Sequence, residues 1–184
     1  MTDDLYTLPE GLPEPVDDGA ADHLTGARLP ELELASTAGP LRLAELGDLA
    51  VVYFYPRAGR PDRPTLARWD ETPGARGCTP QACAFRDADD DLRRLGASVV
   101  GVSAQPLDDQ IEFVDRNRLP FPVVADPELR LAEELRLPTF EIEGTTLYKR
   151  LTLVARDAVV AKVFYPVFPP DRNAADVVAW LAAA

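Results

Sequence analysis

Two cysteines, Cys78 and Cys83, are the residues of this chain best suited to do chemistry. They lie in residues 77–87, which read Gly-Cys-Thr-Pro-Gln-Ala-Cys-Ala-Phe-Arg-Asp. Thr79 can cap a helix, and Pro80 suits a first helical position, so the pattern predicts that a helix begins here. Free N–H groups and the helix dipole at such an end favour a cysteine thiolate over the thiol. Cys78 is therefore a candidate nucleophile.

The spacing of the two cysteines predicts a redox switch. In an intact α-helix, Cα atoms five residues apart are separated by about 8–9 Å. A disulfide prefers Cα atoms about 5.5–6 Å apart, so this pair can bond only if the first helical turn unwinds. We therefore expect Cys78 and Cys83 to alternate between a reduced, helical state and an oxidised, locally unwound one.

The cysteine helix is flanked by two apolar runs that are typical of buried strands, at residues 50–55 and 98–103. Apolar residues at steps of three or four continue the helix to about Leu95, and Gly96 ends it. A strand, a helix and a strand at this spacing predict a right-handed unit with parallel strands.

The remaining segments complete an α/β domain. A short strand is predicted at 123–125, an antiparallel hairpin at 147–155 and 158–165, and a last helix at about 171–183. The pattern predicts a thioredoxin-like fold, with a mixed sheet that is parallel in the middle and antiparallel at one edge, and helices on both faces. We expect an extended N-terminal arm at 1–28 and a domain at 29–184 with an inserted loop at 57–77.

Composition narrows the classes of function. A net charge of −12 argues against nucleic acid and acidic membranes as partners, since both require clustered basic residues. The acidic start lacks the pattern of a signal peptide, and no apolar run is long enough to span a membrane. We interpret the protein as cytoplasmic, where two cysteines indicate redox chemistry more than a structural bridge. One histidine and two cysteines are too few for a structural zinc site.

From Tyr53 to about Tyr165 the sequence resembles the peroxiredoxins, in particular the bacterioferritin comigratory protein type, also called the Q type. The matching pieces are Phe54-Tyr55-Pro56, Gly77-Cys78-Thr79, Gln81-Ala82-Cys83, Phe85-Arg86-Asp87 and Arg150-Leu151-Thr152-Leu153-Val154. Cys-Thr-x-x-x-Cys followed by Phe-Arg-Asp is a fairly specific signature, whereas either cysteine alone would be weak.

The resemblance implies a role for each matching residue. Cys78 matches the peroxidatic cysteine and Cys83 the resolving cysteine, while Arg150 matches the arginine that stabilises the thiolate and polarises the peroxide. The family pattern Pro-x-x-x-Thr-x-x-Cys is interrupted here, because residues 57–77 separate Pro56 from Cys78. Ala75 occupies the expected threonine position and has no hydroxyl, so Thr72 is the predicted substitute.

The implied activity is reduction of hydrogen peroxide and alkyl hydroperoxides. The cycle passes through a sulfenic acid and an intramolecular Cys78–Cys83 disulfide, and a thioredoxin-like protein restores the thiols. The resemblance implies no cofactor and no metal, and a monomer or a homodimer. Two alternatives remain: a thiol–disulfide oxidoreductase, although Cys-x-x-Cys is absent, and a redox sensor or interaction module that uses the same switch.

The inserted loop at 57–77 joins the central strand directly to Cys78 and so must lie beside it. Loops of this length are usually functional or disordered. We expect Trp69 to pin the loop to the domain, and Arg76 and Thr72 to supply polar groups near Cys78.

Overall fold

The computed structural model describes residues 4–184. Nine strands are formed by β1 (Glu33–Ser36), β2 (Leu41–Arg42), β3 (Leu49–Phe54), β4 (Ser98–Ser103), β5 (Val123–Ala125), β6 (Thr139–Ile142), β7 (Thr145–Tyr148), β8 (Leu151–Arg156) and β9 (Val159–Phe164). Five α-helices are formed by α1 (Cys78–Asp87), α2 (Asp89–Arg94), α3 (Leu107–Asn117), α4 (Arg130–Leu135) and α5 (Asn173–Ala183). Within residues 4–184, no helix has the length and apolar character needed to span a membrane.

Seven strands form the central sheet in the order β2-β1-β5-β4-β3-β8-β9. Strands β3, β4 and β5 are parallel to one another, as the strand–helix–strand pattern predicts. The β8–β9 hairpin pairs antiparallel with β3 on one side, and β1 pairs antiparallel with β5 on the other. The predicted mixed sheet is confirmed, although it is antiparallel at both edges and not at one. Strands β6 and β7 form a separate two-stranded hairpin.

The sheet is covered on both faces, which explains why its central strands read as continuous apolar runs. All six residues of β3 are buried. Since side chains alternate along a strand, Val51 and Tyr53 face one core and Val52 and Phe54 face the other. The first core contains side chains of α1, α2, α3 and α5, namely Phe85, Leu92, Phe113, Val177 and Leu181. The second contains Leu131 and Leu135 of α4.

The cysteine helix differs from its prediction at both ends. It begins at Cys78, and Gly77 occupies the N-cap position with a φ of +109°, so Thr79 lies inside the first turn and is not the cap. A left-handed φ favours glycine, which has no Cβ to clash. The predicted single helix also breaks at Ala88, and α2 follows it. Asp89, Asp90 and Asp91 favour this break, because carboxylates are stabilised in the first turn of a helix and not in its middle.

A close contact between β3 and β4 requires glycine on β4. Tyr53 and Gly101 are paired in the parallel ladder, and a Cβ atom at Gly101 would lie 2.8 Å from both Cζ and Oη of Tyr53. The Tyr53 ring is fully buried and stacks on Phe85 with ring centroids 4.6 Å apart. Its hydroxyl is buried without a hydrogen-bond partner among the described residues.

We expect Gly101→Ala to lower the free energy of unfolding by about 1–3 kcal/mol, because the new methyl group meets a ring that packing holds in place. Tyr53→Phe alone should be neutral or stabilising, since it removes a buried hydroxyl that lacks a partner. Urea unfolding of both variants and of the double variant measures these effects. The double variant should recover part of the loss. Wild-type stability in Gly101→Ala would show that the ring is free to move.

Candidate active site

Cys78 is the first residue of α1 and is almost completely buried, with 3% of its surface exposed. Its Sγ lies 3.3 Å from Nη2 of Arg150 and 3.7 Å from the carbonyl oxygen of Ala75. The backbone before it is tightly packed, since a Cβ at Gly77 would lie 2.7 Å from Cγ of Pro170 and 2.8 Å from Cδ2 of Leu8. The sulfur therefore sits at a helix N-terminus, within reach of a guanidinium group, in a rigid setting.

The structure brings Arg150 to Cys78, although not on a strand as the sequence predicts. Arg150 lies between β7 and β8, at the point where the chain leaves the small hairpin for the central sheet. The predicted strand at 147–155 is thus two strands in different sheets. The side chain of Arg150 is 3% exposed, so its charge is held inside the protein next to the sulfur.

The guanidinium group of Arg150 is held by several acceptors besides the sulfur. Nη2 donates to the carbonyl oxygens of Gly74, Ala75 and Arg76 at 3.0–3.2 Å. Nη1 donates to Oε1 of Gln81 at 2.6 Å. The three carbonyls belong to the end of the inserted loop. The same hydrogen bonds therefore hold the loop in place and keep the guanidinium group of Arg150 next to Cys78.

Cys83 lies in the same helix, and both cysteines are free thiols. Its side chain is partly buried, and its Sγ lies 3.8 Å from Oδ1 of Asn117 at the end of α3. Burial raises the pKa of the Cys83 thiol, and the nearby Arg86 opposes this rise only in part. The raised pKa favours the thiol form of Cys83, while Cys78 faces the guanidinium group of Arg150.

Thr72 is not among the residues that line the cavity beside Cys78. Its hydroxyl donates to the carbonyl oxygen of Arg68 at 2.9 Å within the inserted loop. Its side chain lines a separate cavity of about 250 Å³, which Arg150 and Lys149 also line. The prediction rested on spacing along the chain, and the turn at 68–72 directs the hydroxyl elsewhere.

A small cavity of about 20 Å³ adjoins Cys78, which is space for about one water-sized group. It is lined by Leu5, Arg57, Gly59, Thr65, Trp69, Arg76, Gly77, Cys78 and Thr79. Two arginines and no carboxylate contribute to this wall, although the whole chain is acidic. Sequence reasoning missed Thr65 and Arg57, because no motif or spacing links the start of the loop to the cysteine.

Trp69 organises the inserted loop as expected. It is 6% exposed and packs with Ala75, Ile142 and Leu147, so the loop is anchored to the β6–β7 hairpin. Arg76 lies at the cavity wall, paired with Asp70 at 3.1 Å.

The N-terminal arm also reaches the site. The carbonyl oxygen of Asp4 accepts a hydrogen bond of 2.8 Å from Arg76, and Leu5 packs against Gly59. At the other end of the arm, Asp18 pairs with Lys149 at 2.6 Å. The arm therefore crosses the face of the domain that holds Cys78.

No group of three or more His, Cys, Asp and Glu side chains within residues 4–184 is arranged to hold a metal ion. The groups at and beside Cys78 supply a thiol, a guanidinium group and the dipole of a helix N-terminus.

Comparison with known proteins identifies the family. The Redoxin family model matches residues 24–179 of this chain. The chloroplastic peroxiredoxin Q of Sedum lineare is 31% identical over 150 residues, which cover 80% of this chain and 72% of that protein. The chloroplastic peroxiredoxin Q of Populus jackii is 32% identical over 127 residues, covering 69% of this chain and 52% of that protein. This chain thus matches about half the length of the Populus protein.

A solved structure gives the same result. Peroxidoxin BcpB from Mycobacterium tuberculosis superimposes with a TM-score of 0.69 at 31% identity, over 86% of this chain and 96% of that one. The range of the Redoxin match, residues 24–179, includes all seven strands of the central sheet and the cysteine helix. The chain therefore belongs to the redoxin family and is a peroxiredoxin, an oxidoreductase that reduces peroxides with a cysteine thiol.

Proposed function

We propose that this peroxiredoxin reduces hydrogen peroxide and alkyl hydroperoxides through Cys78, Arg150 and Cys83. The contact of 3.3 Å between Nη2 of Arg150 and Sγ of Cys78, at the N-terminus of α1, is the observation that carries the proposal. A positive charge and helix N–H groups next to a sulfur favour its thiolate, which is the reactive form.

In the first step, the Cys78 thiolate attacks one peroxide oxygen. The S–O bond forms as the O–O bond breaks, which leaves a sulfenic acid on Cys78 and releases water or an alcohol after protonation. Arg150 lies where it can donate a hydrogen bond to the oxygen that gains charge, and donors fixed in advance are effective at developing charge. The hydroperoxide enters at the small cavity next to the sulfur, whose wall includes Thr65 and Arg57.

In the second step, Cys83 attacks the sulfenic sulfur and water leaves, so that a Cys78–Cys83 disulfide forms. Both residues lie in the intact helix α1, where their Cα atoms are about 8–9 Å apart by helix geometry. A disulfide needs about 5.5–6 Å, so the first turn of α1 has to unwind before the bond forms. The unwinding also has to loosen the tight packing of Gly77, just before this turn, against Pro170 and Leu8.

A thioredoxin-like dithiol then reduces the disulfide by exchange and restores both thiols. We propose a cytoplasmic location, because cysteines that cycle between thiol and disulfide suit a reducing compartment. Since one chain carries both cysteines, the cycle is complete within a single chain, whether the protein is a monomer or a homodimer.

We expect Cys78→Ser to abolish peroxide consumption, because a serine hydroxyl stays protonated at neutral pH and is a poor nucleophile. Cys83→Ser should still react once, but should then accumulate the sulfenic acid and its over-oxidised forms. A peroxide consumption assay with thioredoxin measures the turnover of each variant. The intact mass after one equivalent of peroxide shows which oxidised form has accumulated. Normal turnover by Cys83→Ser would exclude Cys83 as the resolving residue, and turnover by Cys78→Ser would overturn the proposal.

We also propose that Thr65, and not Thr72, supplies the hydroxyl group nearest to the bound peroxide. Thr65→Val should slow the oxidation of Cys78 about tenfold, the effect of one lost hydrogen bond in the transition state. Thr72→Val is the matched control, and we expect the wild-type rate, because Thr72 is not among the residues that line the small cavity beside Cys78. Stopped-flow oxidation by hydrogen peroxide compares the two, and the reverse result would restore the assignment to Thr72.

A further inference from the structure

A chain of buried hydrogen bonds runs from Arg150 away from the sulfur and ends on the C-terminal helix. Nη1 of Arg150 donates to Oε1 of Gln81 at 2.6 Å, and Nε2 of Gln81 donates to Oδ1 of Asn173 at 2.9 Å. The hydroxyl of Thr152 donates to the same Oδ1 at 2.7 Å. All four side chains are between 0 and 3% exposed. These hydrogen bonds join α1, β8 and the first residue of α5 within the protein interior.

The direction of every bond in this chain follows from Arg150. A guanidinium group only donates hydrogen bonds, so the oxygen of the Gln81 amide must face it. The NH₂ group of Gln81 then faces Asn173 and requires an acceptor, so the Asn173 oxygen must point toward Gln81. The Thr152 hydroxyl, which shares that oxygen, must donate to it. Asn173 therefore serves as a double acceptor that holds the Gln81 amide in the one orientation that Arg150 can use.

We propose that Asn173 is a positioning residue for the reaction of Cys78 with peroxide, acting through Gln81 and Arg150. The inference rests on the proposed function of Cys78 and Arg150. Asn173 does not touch the sulfur. It fixes Gln81, which fixes one side of the guanidinium fork, while the loop carbonyls fix the other. Without the Asn173 oxygen, the NH₂ group of Gln81 is buried without an acceptor, and the amide shifts from the position in which its oxygen accepts from Arg150.

The same hydrogen bonds oppose the unwinding of α1. Gln81 lies in the first turn of α1, which has to open before Cys83 can reach Cys78. Its hydrogen bonds to Asn173 and Arg150 are lost when that turn opens. Loss of the Asn173 acceptor should therefore have opposite effects on two steps: a slower attack on peroxide and an equal or faster formation of the disulfide. A residue that only stabilises the fold would not separate the two steps in this way.

The test compares three variants of the full chain with hydrogen peroxide as substrate. Asn173→Leu removes the acceptor at similar size, and Asn173→Asp keeps an oxygen that can accept from both neighbours. Val177→Ala is the control, because it reduces the packing of the same helix in the core without touching the chain of hydrogen bonds. Stopped-flow kinetics give the second-order rate of Cys78 oxidation across pH, and mass analysis of quenched samples gives the rate of disulfide formation.

We expect Asn173→Leu to slow the oxidation of Cys78 about tenfold, as one misplaced hydrogen-bond donor would, while disulfide formation is not slowed. Asn173→Asp should recover most of this rate, and Val177→Ala should keep the wild-type rate of oxidation. If Asn173→Leu does not fold, Thr152→Val carries the test, since it removes the hydroxyl that holds the Asn173 oxygen, and a slower oxidation is again expected.

Two results would overturn the inference: an oxidation rate in a folded Asn173→Leu or Thr152→Val protein equal to that of the wild type, or an equal loss in Val177→Ala. Failure of the proposed function looks different, because the wild-type protein itself would then fail to consume peroxide or to form the Cys78–Cys83 disulfide.

Discussion

The contact between the Arg150 guanidinium group and the Cys78 sulfur is the interaction on which the site depends. A buried arginine needs acceptors for its donors, and the structure supplies three loop carbonyls and the Gln81 amide to Nη1 and Nη2, whereas Nε has no partner among the described residues. These acceptors place the fork at the sulfur and at the same time hold the end of the inserted loop. Since an arginine in the interior is costly without such partners, the fold around it is arranged to keep the fork in place.

The inserted loop is held in place by the burial of Trp69, and no sequence motif marks its position beside Cys78. Trp69 anchors it against the β6–β7 hairpin, so that a segment of 21 residues at 57–77 behaves as part of the domain. The loop thereby brings Arg57 and Thr65 to the small cavity beside Cys78. A short loop could bring only residues adjacent to the cysteine to the cavity, whereas this loop contributes residues from its start, its middle and its end.

The sheet and the cysteine helix could be predicted from sequence because their signals are local. Continuous apolar runs marked β3 and β4, and the spacing of apolar residues marked the core face of α1. The position of Cys78 at a helix start also followed from neighbouring residues. The cap at Gly77 and the break at Ala88 were missed, because the first depends on backbone conformation and the second on three consecutive aspartates that favour a new helix start.

The positions of other site residues could not be predicted from the sequence, because tertiary contacts determine them. Thr72 was predicted to supply the hydroxyl near Cys78 from its distance along the sequence. A turn in the loop instead lets this hydroxyl donate to the carbonyl oxygen of Arg68. Gln81 lay within the recognised motif without a role of its own, and Asn173 lies in a distant helix with no motif around it. Their function becomes visible only when Arg150 fixes the direction of the hydrogen bonds that join them.

The most direct test of this account is the second-order rate at which hydrogen peroxide oxidises Cys78 in the wild-type protein and in Arg150→Met and Arg150→Lys. Methionine removes the charge and the fork, and lysine keeps a charge without the fork. The account predicts that Arg150→Met is slower by about a hundredfold or more, with a smaller loss in Arg150→Lys. A folded Arg150→Met protein that is oxidised at the wild-type rate would contradict it.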